Sequence, residues 1–300
     1  MEPSFDCNDV AARIAGLVPA LANLEDREAV LLRLADTAAC ALGAERLADD
    51  ASGDEEGAVT RVRHFGNWGH GPCTVWADGS RGGLDDVALR NAVAARDLDY
   101  NDTYIGRVII HPSDLIPALV ALAEARHVAW ERLLAAVTVS YEVYCRLADV
   151  AQTSERGYDS ITLLPLGAAA GASWLLGFDE GRIRQALAIA TLDAGLLRVV
   201  RQGRLSDWKA VAAGRAALKA LYAVRMVEAG FRPPEKVFEG KDGFCERISG
   251  SLPVSAEGSA ILPRTLIKQF PVQIFMQGLV ELAGQLRGRL QGGIASIRSI

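Results

Sequence analysis

The 19 residues from 160 to 178, SITLLPLGAAAGASWLLGF, contain no charged side chain. An uncharged run of that length either crosses a membrane or lies inside a protein core. Pro165 and the predominance of Gly and Ala point to the core, because small side chains gain little from lipid but let neighbouring helix backbones approach closely. The chain is therefore expected to wrap other elements around a tightly packed helix. At 300 residues, with 50% hydrophobic and 23% charged side chains, it has apolar material for one large or two ordinary domains, and a mainly disordered state is excluded.

Helical periodicity continues on both sides of this run. Apolar residues recur at three- and four-residue spacing over 10–42 and over 114–147, the second stretch long enough for two helices. A further pair is predicted over about 163–176 and 180–194, with Asp179 as the N-cap of the second. The clearest single helix runs over 207–228, with Ser206 as N-cap, Asp207 complementing the dipole and Gly230 ending it in the left-handed conformation. Residues 49–57, DDASGDEEG, read as a solvated acidic loop, and 59–82 has room for one or two short strands. Beyond Gly230, FRPPEKVFEGKDGF and SGSLPVSAEG have the Gly, Pro and charge of a domain exit. An apolar helix follows near 277–286, then IASIRSI, which alternates like a strand but has no later partner, as in a second domain cut short.

Three segments combine charge, imidazole and helix ends in ways that packing does not require. In LDYNDTYIGRVIIHPS (98–113), Asp99, Asp102, Thr103 and His111 lie in a loop that leads into a helix capped by Ser113. His111 would then sit just outside a helix N-terminus, where partial positive charge disfavours imidazolium and attracts anions. The plainer reading is Asx-turns at Asp99 and Asp102 and a surface histidine. In RVVRQGRLSDWK (198–209), Arg198, Arg201, Arg204 and Lys209 surround Gly203 beside a helix N-terminus. Cations there oppose the helix dipole, so they either stay solvated or face an anion such as a di- or tricarboxylate. The third segment, GYDS (157–160), by itself indicates only tight packing.

There is no GxGxxG, P-loop, HExxH or GxSxG, so nucleotide binding, zinc proteolysis and serine hydrolysis have no motif behind them. Five cysteines lie far apart with no CxxC pair, which gives no zinc or iron–sulfur reading. Their odd number argues against a complete disulfide framework and fits a reducing cytoplasm. With 32 basic against 37 acidic side chains, the net charge of −5 offers no general attraction to nucleic acid. The start, MEPSFDCNDV, lacks the basic and apolar regions of a secretory signal.

At these segments the sequence resembles the MmgE/PrpD family of 2-methylcitrate dehydratases and cis-aconitate decarboxylases. The matching motifs are LDYNDTY (98–104), HPSD (111–114), YEVYCRL (141–147), LLGFDEGRIRQALAIA (175–190), LRVVRQGRLSDWKAVAAGRAA (197–217), VFEGKDGF (237–244) and IKQFPVQIFMQ (267–277). The resemblance implies a mainly α protein: a large all-α domain, 1–260, followed by the start of a smaller α/β lid, 261–300, truncated at its C-terminus relative to the family. It also implies a cytoplasmic homodimer acting on a small carboxylic acid, a hydro-lyase of propionate catabolism with no cofactor, metal, membrane or nucleic-acid partner.

The same resemblance assigns residues. Asp99, Thr103, His111 and Lys209 match catalytic positions in the family's DYNDT, HPSD and WK motifs, and Asp102, Arg201, Arg198, Asp159 and Ser160 are implied as binding side chains. Dehydrating a β-hydroxy tricarboxylate means taking a proton from carbon next to a carboxylate and helping hydroxide leave, which calls for a base, an acid and several cations. On this reading His111 or an Asp partner moves the proton, and Lys209 with Arg201 holds the carboxylates. Relatives commonly carry one histidine in the segment equivalent to GYDS and another where Phe275 stands; Asp159, Ser160 and Phe275 take those places here. The alternatives are a decarboxylase or epimerase of small acids, or a catalytically silent member that serves as a binding or dimerisation partner.

Overall fold

The computed structural model describes residues 7–289, apart from 8, 24, 51–56, 67 and 256–258. The first periodic stretch forms two helices, α1 (Val10–Leu21) and α2 (Arg27–Asp50). Helix α2 takes in Asp49 and Asp50, which the acidic composition had placed in a loop; the centre of that loop lies outside the described residues. The region expected to hold strands begins instead with a helix, α3 (Ala58–Phe65), whose Val59 and Val62 bury one face. Two strands then follow, β1 (Trp68–Thr74) and β2 (Arg81–Gly82), as an antiparallel pair.

After α4 (Leu84–Asp97) the chain makes a second small hairpin, β3 (Tyr104–Ile105) with β4 (Ile109–Ile110). A 3₁₀ turn, Pro112–Leu115, leads into α5 (Ile116–Arg126) and then α6 (Trp130–Val150). Ser113 is not the cap of α5. Pro112, with its fixed φ, starts the turn one residue earlier, and the Ser113 hydroxyl lies inside it, accepting from Asn101 Nδ2 at 2.9 Å.

The uncharged run forms a 3₁₀ turn, Ser160–Leu163, and α7 (Leu164–Leu176). It is the packed helix that its composition predicts. A Cβ on Gly167 would stand 2.6 Å from Tyr144 Cβ and 3.0 Å from the Ser140 carbonyl, and one on Gly171 would strike Ser140 Oγ and the Ala136 carbonyl. Only hydrogen at these two positions lets α7 lie this close to α6. Two more helices close the bundle, α8 (Glu180–Leu192) and α9 (Trp208–Glu228). Asp179 caps α8 by accepting from Arg182 N at 2.8 Å, and Gly230 has φ 85° after α9. Helix α9 starts one residue later than expected, so Asp207 and not Ser206 stands at the N-cap position, and the Ser206 hydroxyl accepts from Trp208 N at 3.3 Å from just outside the helix. No helix among the described residues is long and apolar enough to cross a membrane.

The Gly- and Pro-rich stretch after α9 runs back over the bundle, burying Phe238, Phe244, Leu252 and Val254 in the main core. A disulfide joins Cys7 to Cys245 in this stretch, a pairing that the scattered cysteines did not suggest, while Cys40, Cys73 and Cys145 are free and buried. Glu142 on α6 then accepts from the amide of Leu262 at 3.0 Å, and Leu266 pairs with Thr103 across a β-bridge. This return brings residues 266–268 to the loop after α4. The last described helix, α10 (Gln277–Arg289), leaves Leu279, Leu282 and Leu286 in solvent. The strand expected over 294–300 lies outside the described residues. Among the described residues the fold is thus mainly α, with two small two-stranded sheets.

Candidate active site

The loop between α4 and α5 turns sharply at Asp99, whose φ of 50° is in the left-handed region that Asp tolerates better than most residues. The turn points its carboxylate into a ring of cations. Arg96 Nη1 is 2.9 Å away, Lys268 Nζ 2.8 Å and Lys209 Nζ 3.4 Å. Burial opposes the charge on Asp99, but the permanent cations Arg96 and Lys268 outweigh it and hold the carboxyl well below the usual carboxylate range. Lys268 also donates to the Asp99 carbonyl at 2.6 Å and has no exposed side-chain surface. Burial draws its ammonium down, against the pull of Asp99.

His111 stands just before the 3₁₀ turn, close to the position predicted for it. Its Nδ1 is 2.8 Å from the Asp102 carbonyl and 3.3 Å from Thr103 Oγ1, and its Nε2 is 3.8 Å from Asp99 Oδ1. Burial, then Arg96 and Lys268, hold the ring far below the ordinary imidazole value despite the Asp99 charge, so it is neutral. A carbonyl oxygen only accepts, which places the single ring hydrogen on Nδ1 and leaves the lone pair on Nε2. Thr103 is held by main-chain bonds in both directions to Leu266, at 2.9 and 2.7 Å.

Beneath the loop lies a layer of buried polar groups. Asp102 is fully buried; its Oδ1 accepts from Ser113 N at 3.0 Å, and its Oδ2 is 3.7 Å from Arg33 Nε. Burial raises its carboxyl, against the Ser113 N–H and Arg33. Asp114 accepts from Asn101 at 2.8 Å, and burial, moderated by Arg96, pushes it up to about 6. Asp36 on α2 is likewise raised to about 6 by burial and by Asp102. These groups support the loop from inside.

Asp159, Ser160, Arg198 and Arg201 meet at a neighbouring junction. Asp159 begins the turn before α7, accepting from Ile161 N at 3.0 Å, and takes Arg201 Nε at 2.7 Å. Burial disfavours the Arg201 cation, but Asp159 first, then Asp114 and Asp99, raise it further, so Arg201 lies within electrostatic reach of the first cluster. Ser160 is half-buried, and Arg198 is exposed, donating to the Ser154 carbonyl at 3.0 Å. Phe275 is 63% exposed in the turn before α10.

The structure thus gathers Asp99, Thr103, His111 and Lys209 at one place, with Asp102 underneath and the Asp159–Arg201 pair to one side. Sequence reading missed Lys268 and Arg96. Lys268 stood in the IKQFP motif without a visible partner, and Arg96 looked like an ordinary cation at a helix C-terminus. Among the described residues no group of three or more His, Cys, Asp or Glu side chains is arranged to hold a metal ion.

The chain has relatives of known activity. It is 26% identical over 227 residues to a 2-methylcitrate dehydratase of Cupriavidus necator, covering 69% of this chain and 46% of that protein. It is 29% identical over 219 residues to the human cis-aconitate decarboxylase, covering 68% and 44%, and 25% identical over 243 residues to the 2-methylcitrate dehydratase of Escherichia coli K12, covering 73% and 49%. In each case the match spans about half of the relative's length. The MmgE/PrpD N-terminal domain matches residues 10–257, and on that match the chain belongs to the MmgE/PrpD family.

Proposed function

We propose that this chain carries the proton-abstracting site of a lyase-type enzyme for citrate-like di- and tricarboxylates, 2-methylcitrate dehydratase-like and independent of metal. The observation that supports it most is the neutral His111, with its Nε2 lone pair beside the cations around Asp99. One substrate carboxylate binds Lys209 and another binds Arg201, with Arg198 and Ser160 on the same side. Nε2 takes the proton from carbon next to a carboxylate, and the electron pair moves into that carboxylate to give a dianion. Lys209 stabilises the new charge, with Lys268 behind it. Asp99 stabilises the imidazolium that forms, which can then protonate the departing hydroxyl. Asp102 and Thr103 act through His111 by fixing its ring, and Asp159 acts through Arg201.

The domain division proposed with this reading is a helical domain over 1–260 and residues of a smaller α/β lid over 261–300. The setting is a homodimer in propionate catabolism, and its cytoplasmic location rests on the family resemblance, since the Cys7–Cys245 disulfide removes the argument from unpaired cysteines. Proton NMR of citrate, 2-methylcitrate and cis-aconitate in deuterated buffer tests the chemistry. Exchange or conversion at the carbon beside a carboxylate, lost in His111→Ala, is the expected result. New signals from decarboxylation or epimerisation would assign the same site to those reactions. No exchange by a folded protein with any of the acids would overturn the lyase reading and leave an acid-binding, catalytically silent protein.

A further inference from the structure

Helix α9 presents two different surfaces. Lys209 points to Asp99, whereas Trp208, Val211, Arg215, Leu218 and Tyr222 recur at three- and four-residue spacing and share another side of the helix. That second side, with α3 and α4 across from it, walls a cavity of about 870 Å³. The volume is that of a small-molecule site.

The lining is unusual for surface left to water. Phe65 is 78% exposed, and Trp208 and Tyr222 are also exposed, so three aromatic faces stand open around one hollow. Three cations share it. Arg61 is ion-paired with Asp207, and Lys219 donates to the Asp193 carbonyl. Arg215 stacks 5.6 Å from the Trp208 ring centre and has no carboxylate within ion-pair distance among the described residues. Lys219 is half-buried, and burial draws its ammonium down, opposed by the Asp193 carboxylate and reinforced by Arg215, so an anion placed between Lys219 and Arg215 would relieve both.

We propose that this cavity binds an amphipathic monocarboxylate, its apolar body on Phe65, Trp208 and Tyr222 and its carboxylate on Arg215 and Lys219. Asp193 and Asp207 line the same hollow and repel further negative charge, so citrate-like polyanions are excluded. The site is therefore distinct from the one around Asp99, and the proposal stands whether or not the lyase reading does. Because Trp208 and Lys209 are consecutive, the two sites share the first turn of α9 but lie on different sides of it.

Isothermal titration calorimetry of the full chain with sodium octanoate, octan-1-ol and citrate tests it. Octanoate should bind saturably, octan-1-ol should bind about tenfold or more weakly, and citrate should not displace octanoate. Arg215→Gln and Tyr222→Ala, both exposed and checked for folding by circular dichroism, should each weaken octanoate binding by about tenfold. His111→Ala should leave it unchanged, which separates this result from the failure of the lyase reading. Absence of saturation up to the onset of octanoate micelles, or equal affinity in Arg215→Gln, would overturn the proposal. So would sedimentation showing a dimer that Tyr222→Arg splits, since the face would then be a subunit interface.

Discussion

His111 presents Nε2 to Asp99 across 3.8 Å, too long for a hydrogen bond but short enough for each group to feel the other's charge. The ring stays neutral because burial, Arg96 and Lys268 outweigh that carboxylate. Deuterium exchange should therefore persist to pH values well below 6.5, the ordinary imidazole value. His111→Ala should lower the rate by about 100-fold or more. Lys268→Ala removes a cation facing the ring and should move the acid limb of the pH–rate profile upward. An acid limb centred on the ordinary imidazole value in the wild type would sink the neutral-base assignment.

Lys268 has no exposed side-chain surface and donates twice to Asp99, once to the carboxylate and once to the carbonyl. Removing it leaves a buried carboxylate with fewer partners, and Lys268→Ala should cost about 3 kcal/mol in urea denaturation. Arg107 and Glu155 form a pair that water reaches on both sides, 44% and 58% exposed. Arg107→Ala should leave the urea midpoint where it is. Equal midpoints for the two variants would show that the cations around Asp99 are not structural.

This contrast also shows what could be read from sequence. The central helix, the Asp179 cap and the Gly230 terminator depend on residues a few positions apart, so pattern and composition were enough. Asp99, His111 and Lys209 could be picked out because a family motif surrounds each. Lys268 meets Asp99 across 169 residues and Cys7 meets Cys245 across 238, and neither pair leaves any local trace. Helix α3 was missed because its eight residues carry too short a pattern to separate from a strand.

Asp114 holds its proton more tightly in the fold than in the open chain, with its carboxyl raised from 3.8 to about 6. Such a group stabilises the fold fully below about 3.8, and that contribution is lost as pH rises through about 6. Asp36 adds a change of the same sign, while Asp99, shifted the other way, protects the fold above its ordinary value and ceases to do so in acid. Asp114→Asn keeps an oxygen for Asn101 without a charge to bury. The stability of this variant relative to wild type should rise by up to about 3 kcal/mol between pH 4 and pH 7. A pH-independent difference would mean that Asp114 titrates normally.

Gly171 meets the α6 backbone, whereas Gly284 on α10 has open space where a Cβ would go. Gly171→Ala should force α6 and α7 apart and cost about 1–3 kcal/mol. Gly284→Ala should be neutral or add up to about 1 kcal/mol of helix stability. Thermal unfolding of the two variants checks the pair, and a harmless Gly171→Ala would contradict the close approach of these helices.

Lys209 differs from Lys268 in the way a binding group should. Its Nζ is 3.4 Å from Asp99, a loose contact, and its side chain is 23% exposed, so a ligand carboxylate can reach it without disturbing the Asp99–Lys268 bond. Lys209→Met keeps most of the side-chain bulk and removes the charge. It should leave the melting temperature near that of wild type while weakening citrate binding by about tenfold or more in calorimetry. Because the partly exposed ammonium is screened by salt, wild-type affinity should also fall with ionic strength, and the variant should show a shallower dependence. An unchanged citrate affinity in Lys209→Met would place the carboxylate elsewhere, and the Asp159–Arg201 junction would then be the cationic group left to receive it.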